Sequence, residues 1–151
     1  MRLIIVRHGR AEEKKPGMSD EERRLTDEGR KDVECVAKLI PWRVVVVYTS
    51  PLRRAIETAE IIASIHKAEV KVVDVLRPRP LPLEKIAELG IRDATALVGH
   101  APYLEDLLKD LTGGLVKLVA GAAAGVEAQS IEKGKAALVF LITPDICKKL
   151  G

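Results

Sequence analysis

Leu3-Ile4-Ile5-Val6-Arg7-His8-Gly9 decides the fold. Four apolar residues in a row, three of them β-branched, form a strand covered on both faces, because a half-exposed strand would alternate with polar residues. The run stops abruptly at a cation and an imidazole, so polar chemistry is placed at the carboxyl end of a buried strand. The same grammar recurs downstream. Val44-Val45-Val46-Val47-Tyr48 is a second buried strand, Val70 to Val75 a third, and Ala94 to Val98 a fourth that ends in Gly99-His100. Helical stretches lie between them. Thr26 is placed to cap a helix from Asp27 to Ile40, whose Val33, Val36, Ala37 and Ile40 fall at helical spacing before Pro41 stops it. Ser50 and Pro51 read as the cap and first residue of a helix reaching Ile65. A short helix is expected from Leu83 to Leu89, and another from Pro102 to Leu111.

Between these elements lie segments of other character. Residues 10–24 are charged and contain Pro16-Gly17, which reads as a mobile surface loop. Arg77-Pro78-Arg79-Pro80-Leu81-Pro82 cannot be regular structure. Residues 113–125 are rich in Gly and Ala and give no clear pattern, and Val126–Ile131 with Ala136–Ile142 reads as a β-hairpin. Strands alternating with helices, then a hairpin, predict an α/β three-layer sandwich. Its central sheet is mostly parallel with an antiparallel edge strand, and helices cover both faces. A length of 151 residues suits one domain over 1–151.

Composition narrows the function classes. Hydrophobic residues make up 47% of the chain, enough to fill a core. A net charge of +3 suits an anionic substrate but is not the basic stripe of a nucleic-acid binder. No stretch is long and apolar enough to span a bilayer, and the opening residues carry no leader pattern, so no membrane partner and a cytoplasmic location are expected. Cys35 and Cys147 lack metal-ligand spacing and read as core packing, so no metal is expected. The chain has no Asn and a single Gln, Gln129, beside many Lys, Arg and Glu, a bias shared with hyperthermophile proteins.

The candidate site follows from strand ends. Arg7 and His8 follow the first strand, Ser50, Arg53 and Arg54 the second, and His100 the fourth. Ligand crevices in open α/β sheets form outside these carboxyl ends. Arginine donates in a planar fork that fits phosphate oxygens, and a neutral histidine can attack phosphorus and carry the phosphoryl group. A second, cationic histidine would hold an equatorial oxygen. Positioning and charge stabilisation are most of what phosphoryl transfer needs, so no cofactor is called for.

Three motifs then bear a resemblance. Val6-Arg7-His8-Gly9 resembles the signature of the histidine phosphatase, or phosphoglycerate-mutase-like, superfamily. Thr49-Ser50-Pro51-Leu52-Arg53-Arg54-Ala55-Ile56-Glu57-Thr58-Ala59 resembles its second motif, and Leu97-Val98-Gly99-His100-Ala101-Pro102 its third. The resemblance implies that His8 is the nucleophile and that Arg7, Arg54 and His100 bind the phosphoryl group with the backbone of Ala101. Helical periodicity hardly separates Arg53 from Arg54; the family's Arg-Ala-x-x-Thr order selects Arg54. Short length, Leu25-Thr26-x-x-Gly29 and Leu141-Ile142-Thr143-Pro144 are similar to the small SixA-type phosphohistidine phosphatases. Larger members use a Glu on an insertion to protonate the leaving group. This chain offers no clear counterpart; Glu84 and Glu12, with Glu88 and Glu13 beside them, are the candidates.

An imidazole leaves phosphorus more readily than an alkoxide does, so a site without a dedicated acid matches phosphohistidine. The implied partner is a phosphorylated protein, such as a histidine phosphotransfer domain, or a small phosphorylated molecule. The competing readings are a phosphomonoesterase acting on a metabolite or nucleotide, and a non-catalytic phosphohistidine-binding module.

Overall fold

A computed structural model describes residues 1–150. Its strands are β1 (Arg2–Arg7), β2 (Val46–Thr49), β3 (Glu69–Val72), β4 (Thr95–Gly99), β5 (Ala123–Ala128) and β6 (Ala136–Ile142). The helices are α1 (Asp27–Leu39), α2 (Arg53–His66), α3 (Leu83–Ala87), α4 (Tyr103–Thr112) and α5 (Pro144–Leu150). The six strands form one sheet in the order β3-β2-β4-β1-β5-β6. β3, β2, β4 and β1 run parallel, whereas β5 is antiparallel to both β1 and β6. The expected mostly parallel α/β sandwich is the observed fold, with the reversed strand lying one place in from the edge.

β1 shows why its sequence is continuously apolar. Leu3 and Ile5 point into a core shared with Leu104, Leu107, Leu108 and Leu111 of α4. Ile4 and Val6 point into the opposite core, with Val33 and Val36 of α1 and Ala55, Ala59 and Ile62 of α2. All four are at most 2% exposed. At about 1.5–3 kcal/mol per buried aliphatic side chain, this one strand accounts for a sizeable part of what holds the layers together.

Several boundaries differ from the sequence reading. Thr26 caps α1 as expected, its Oγ1 accepting from Gly29 N at 2.9 Å. Ser50 does not open α2: the helix begins two residues later, after Leu52. The Ser50 hydroxyl instead accepts from Leu52 N at 3.2 Å and meets His100. Val73 to Val75 leave β3 for a short 3-10 turn, Asp74–Leu76. The unreadable stretch 113–125 contributes the start of β5, whose Ala and Gly residues admit close neighbours; a Cβ at Gly125 would collide with the Phe140 ring.

The loop over 10–24 is pinned rather than loose. Ala11 bridges Leu25, Glu12 N donates to Arg24 O at 2.8 Å, and residues Asp20–Glu22 form a 3-10 turn. His66, the last residue of α2, is a structural brace. Its Nδ1 accepts from Val44 N at 3.1 Å and its Nε2 donates to Ala37 O at 2.8 Å.

The cysteines depart most from the sequence reading. Cys35 on α1 and Cys147 on α5 form a disulfide, with Cα atoms 6.0 Å apart and 112 residues between them in sequence. Both side chains pack in the core as expected, but as one crosslink. Nothing local to either cysteine could have shown this, because the pairing depends on α5 folding back against α1. None of the described helices is long and apolar enough to cross a membrane.

Candidate active site

Three parallel strands deliver the site. In register, Arg7 of β1 lies beside Gly99 of β4, and Thr49 of β2 lies beside Val98. The residues that follow each strand therefore emerge together. Arg7, His8, Arg10, Ala11, Arg23, Arg54, Pro78, His100, Ala101 and Ala120 line one cavity of about 360 Å³. The structure thus places Arg7, His8, Arg54, His100 and Ala101 together. Arg53 is exposed and does not line it, whereas Arg54 is only 4% exposed, so the choice that periodicity left open is decided by burial.

The His8 ring is held in one tautomer. Its Nδ1 lies 2.7 Å from the Gly9 carbonyl, which can only accept, so Nδ1 carries the proton and Nε2 keeps its lone pair. That lone pair faces Arg54 Nε at 3.4 Å. Burial, with the positive charges of Arg54, Arg7 and Arg23 behind it, pulls the His8 pKa down to about 4, against the Gly9 carbonyl that favours the protonated ring. The ring is therefore neutral near pH 7. His100 stands beside it, ring centroids 5.1 Å apart.

The second histidine, expected as a cation, is held neutral near pH 7 by its surroundings. Burial first, then the neighbouring His8, Arg54 and Arg7, lower the His100 pKa to about 3. Its Nε2 meets Ser50 Oγ at 2.8 Å, and its buried Nδ1 has no partner. Arg7 donates from Nη1 to Leu118 O at 2.9 Å, while its buried Nε is unpartnered. Unsatisfied polar groups of this kind are costly in a folded protein and mark a place built for a polar ligand.

The motif residues have identifiable jobs. Gly9 lies against α1, where an added Cβ would stand 2.8 Å from Val33 Cγ2 and 3.0 Å from Gly29 O. A Cβ on Gly29 would meet the Arg10 backbone, so the glycines of the first motif and of Leu25-Thr26-x-x-Gly29 let these two segments touch. Thr58 accepts from Gly9 N at 3.1 Å and donates to Arg54 O at 2.8 Å, locking the loop that carries His8 to the Arg54 turn. That explains the spacing of Arg and Thr by four: one helical turn separates them. Glu57, 7% exposed, accepts from Leu25 N at 2.8 Å and pairs with Arg30 at 3.0 Å.

Sequence reasoning missed other members. Arg10 and Arg23 line the cavity beside Arg7 and Arg54. Asp20, which does not itself line the cavity, holds Arg54: Arg54 Nη2 donates to Asp20 Oδ2 at 3.1 Å and Nη1 to the Asp20 carbonyl at 2.8 Å. The candidate acids lie elsewhere. Glu84 is exposed on α3, Glu12 accepts from Arg24 N at 3.2 Å, and neither lines the cavity. Arg77 and Arg79 are ion-paired with Asp74, and Arg77 also reaches Glu21 at 2.7 Å.

The family model for the histidine phosphatase superfamily (branch 1) matches residues 3–81, just over half of the chain. The chain belongs to that superfamily. The match spans the first two motifs, and His100 lies beyond it. No curated protein sequence matches. Among solved structures, the protein histidine phosphatase SixA complexed with tungstate is similar at TM-score 0.83 and 23% identity, over 97% of this chain and 99% of that one. A putative phosphohistidine phosphatase SixA from Agrobacterium tumefaciens is similar at TM-score 0.79 and 20% identity, over 95% and 97%. A phosphoserine phosphatase from Entamoeba histolytica, in complex with 3-phosphoglyceric acid, is similar at TM-score 0.72 and 18% identity, over 94% and 96%. At these identities the likeness is one of fold, shared by phosphatases of different substrates. The membership makes this histidine phosphatase an enzyme of phosphoryl-group hydrolysis.

Proposed function

We propose that this histidine phosphatase removes the phosphoryl group from phosphohistidine on a protein, by way of a covalent intermediate on His8. The observation that carries the reading is the His8 imidazole. Its proton is committed to the Gly9 carbonyl, and its Nε2 lone pair faces a cavity walled by arginines. The pair on Nε2 attacks phosphorus, the bond to the leaving group breaks, and water later cleaves the P–Nε2 bond to release phosphate. Arg7 and Arg54 grip the phosphoryl oxygens in this scheme, and the Ala101 backbone adds an N–H. A bound dianion raises the His100 pKa, so that ring acquires its proton with the substrate and then donates to an oxygen.

Three observations favour phosphohistidine over a sugar phosphate or nucleotide. Asp20, the carboxylate on Arg54, is held as an anion by Arg54 and Arg23 and so carries no proton to give an alkoxide. The cavity has room for a phosphoryl group and an imidazole, and it opens at the protein surface where a macromolecular donor can reach it. The arginines at its mouth suit an acidic protein surface. The reaction proposed needs no metal or cofactor. A cytoplasmic setting accords with the disulfide if the source is hyperthermophilic, since intracellular proteins of such organisms carry disulfides.

The test is a panel of a phosphohistidine protein, a phosphoserine peptide and sugar phosphates, assayed with chelator present. Fastest turnover on phosphohistidine supports the reading, and faster turnover of phosphoserine overturns the specificity. Trapping acid-labile phosphate on His8 separates an enzyme from a mere binding module.

A further inference from the structure

The geometry points to Asp20 as the general base that takes a proton from the water hydrolysing the phosphoryl group on His8. The inference rests on the covalent route proposed above, and concerns its second half. Arg54 presents two donors along one edge, Nε and Nη2, the fork that grips two oxygens of a phosphate. In this structure one tine points to His8 Nε2 at 3.4 Å and the other to Asp20 Oδ2 at 3.1 Å. The nucleophile and the carboxylate therefore share one guanidinium edge, placing Asp20 next to any phosphoryl group that His8 carries.

The side on which Asp20 stands also matters. In an in-line displacement the entering water lies across phosphorus from the leaving Nε2. Arg54 and His100 are each 4% exposed, whereas the Asp20 side chain that Arg54 holds is 52% exposed to solvent. Water enters from the Asp20 side. When phosphoryl oxygens claim the Arg54 edge, Asp20 gives up Nη2 but stays anchored. Its carbonyl still accepts from Arg54 Nη1 at 2.8 Å, and its Oδ1 from Arg23 Nε at 3.0 Å. Its turn is strapped down by Glu21 to Arg77, and by Arg23 Nη1 donating to Glu12 O at 3.1 Å.

Protonation suits the role. Burial raises the Asp20 pKa somewhat, but hydrogen bonding and charge from Arg54, then Arg23, outweigh it and hold the carboxyl below its ordinary range. The group is therefore an anion, and its proton affinity rises once phosphoryl oxygens take Arg54 Nη2 from it. The neighbouring carboxylates are committed elsewhere: Glu12 to Arg24 N, Glu21 to Arg77, Glu28 to Arg10 and Lys148, and Glu57 to Leu25 N and Arg30. In the step itself, a lone pair of water forms the new P–O bond, and the P–Nε2 bond breaks with its electron pair returning to His8. The water proton passes to Asp20 Oδ2 and then to solvent.

Asp20→Asn keeps the shape and an oxygen for the arginines but cannot take the proton. The probe is 2,4-dinitrophenyl phosphate, whose leaving group needs no acid, followed by rapid mixing. The burst reports phosphorylation of His8, and the steady rate reports its hydrolysis. The variant is expected to keep a burst within about threefold of the parent protein while its steady rate falls about 100-fold. Acid-labile phosphate should then accumulate on His8. A burst and a steady rate that fall together, or a steady rate that is unchanged or raised, overturn the assignment; a raised rate would show Asp20 to be a plug. Asp20→Ala, compared with Asp20→Asn by thermal melting, identifies any loss due to unfolding. The stereochemical outcome in the parent protein is independent of both variants: retention at phosphorus upholds the covalent route, and inversion sinks it whatever Asp20 does.

Discussion

Breaking the Cys35–Cys147 crosslink, by reduction or by Cys35→Ser, should lower stability sharply and leave the site nearly intact. The bond closes a loop spanning 112 residues of sequence separation. For a loop of that order, the chain-entropy account gives about 4.7 kcal/mol of stabilisation through restriction of the unfolded chain. A domain of this size shifts its melting temperature by about 3 °C per kcal/mol, so a fall of about 14 °C is expected. The residues lining the cavity come from the ends of β1, β2 and β4 and from nearby loops, none of them on α5. The one thread from α5 toward the cavity is Lys148 to Glu28 to Arg10, a chain of exposed ion pairs that contributes little. Turnover at 25 °C should therefore remain within about twofold. Calorimetry with and without reductant, beside mass analysis of alkylated protein, makes the measurement. A melting shift under about 3 °C, or two free thiols before reduction, would refute the reasoning.

Further expectations follow from the site. Arg54→Ala should cost about 100-fold or more in turnover, and Arg53→Ala less than about threefold, because only Arg54 is buried in the cavity; steady-state kinetics on both variants check this. Thr58→Val removes the acceptor of Gly9 N and should destabilise by about 1–3 kcal/mol in denaturant melts, with a loss of turnover as the loop that carries His8 loosens. His8 and His100 titrate near 4 and 3 in the folded protein, below the ordinary histidine value of 6.5. The unfolded chain therefore takes up protons that the folded chain refuses. Their contribution is complete above pH 6.5 and is lost as pH falls toward 4 and then 3. His100→Asn should flatten the slope of melting temperature against pH between 6.5 and 3, and an unchanged slope would count against a buried neutral ring. Saturating phosphate should steepen resistance to acid in the parent protein, because the bound anion raises the His100 pKa.

Much of the fold was legible because its signals are local. The unbroken apolar run Leu3–Val6 needs cover on two faces, and Thr26 before an amphipathic stretch needs a helix; in Val44–Tyr48 only Val46 onward joins the strand, and Val45 is exposed. Where the reading slipped, a distant partner had intervened. Ser50 resembles a helix cap until His100, fifty residues away, is seen to take its hydroxyl. The loop over 10–24 looked mobile because the anchors that tie it to the rest of the fold, Arg54 on Asp20 and Arg77 on Glu21, lie far away in sequence.

The sequence by itself determined the order of layers and the strand ends at which Arg7, His8 and His100 appear, because backbone propensity and hydrophobic period are properties of neighbouring residues. Only the tertiary structure decided which ring nitrogen of His8 is free, that Asp20 reaches Arg54, and that Cys35 meets Cys147. Each of these depends on burial or on a contact between segments remote along the chain. Such contacts arise only when the packed sheet fixes the directions in which its loops leave.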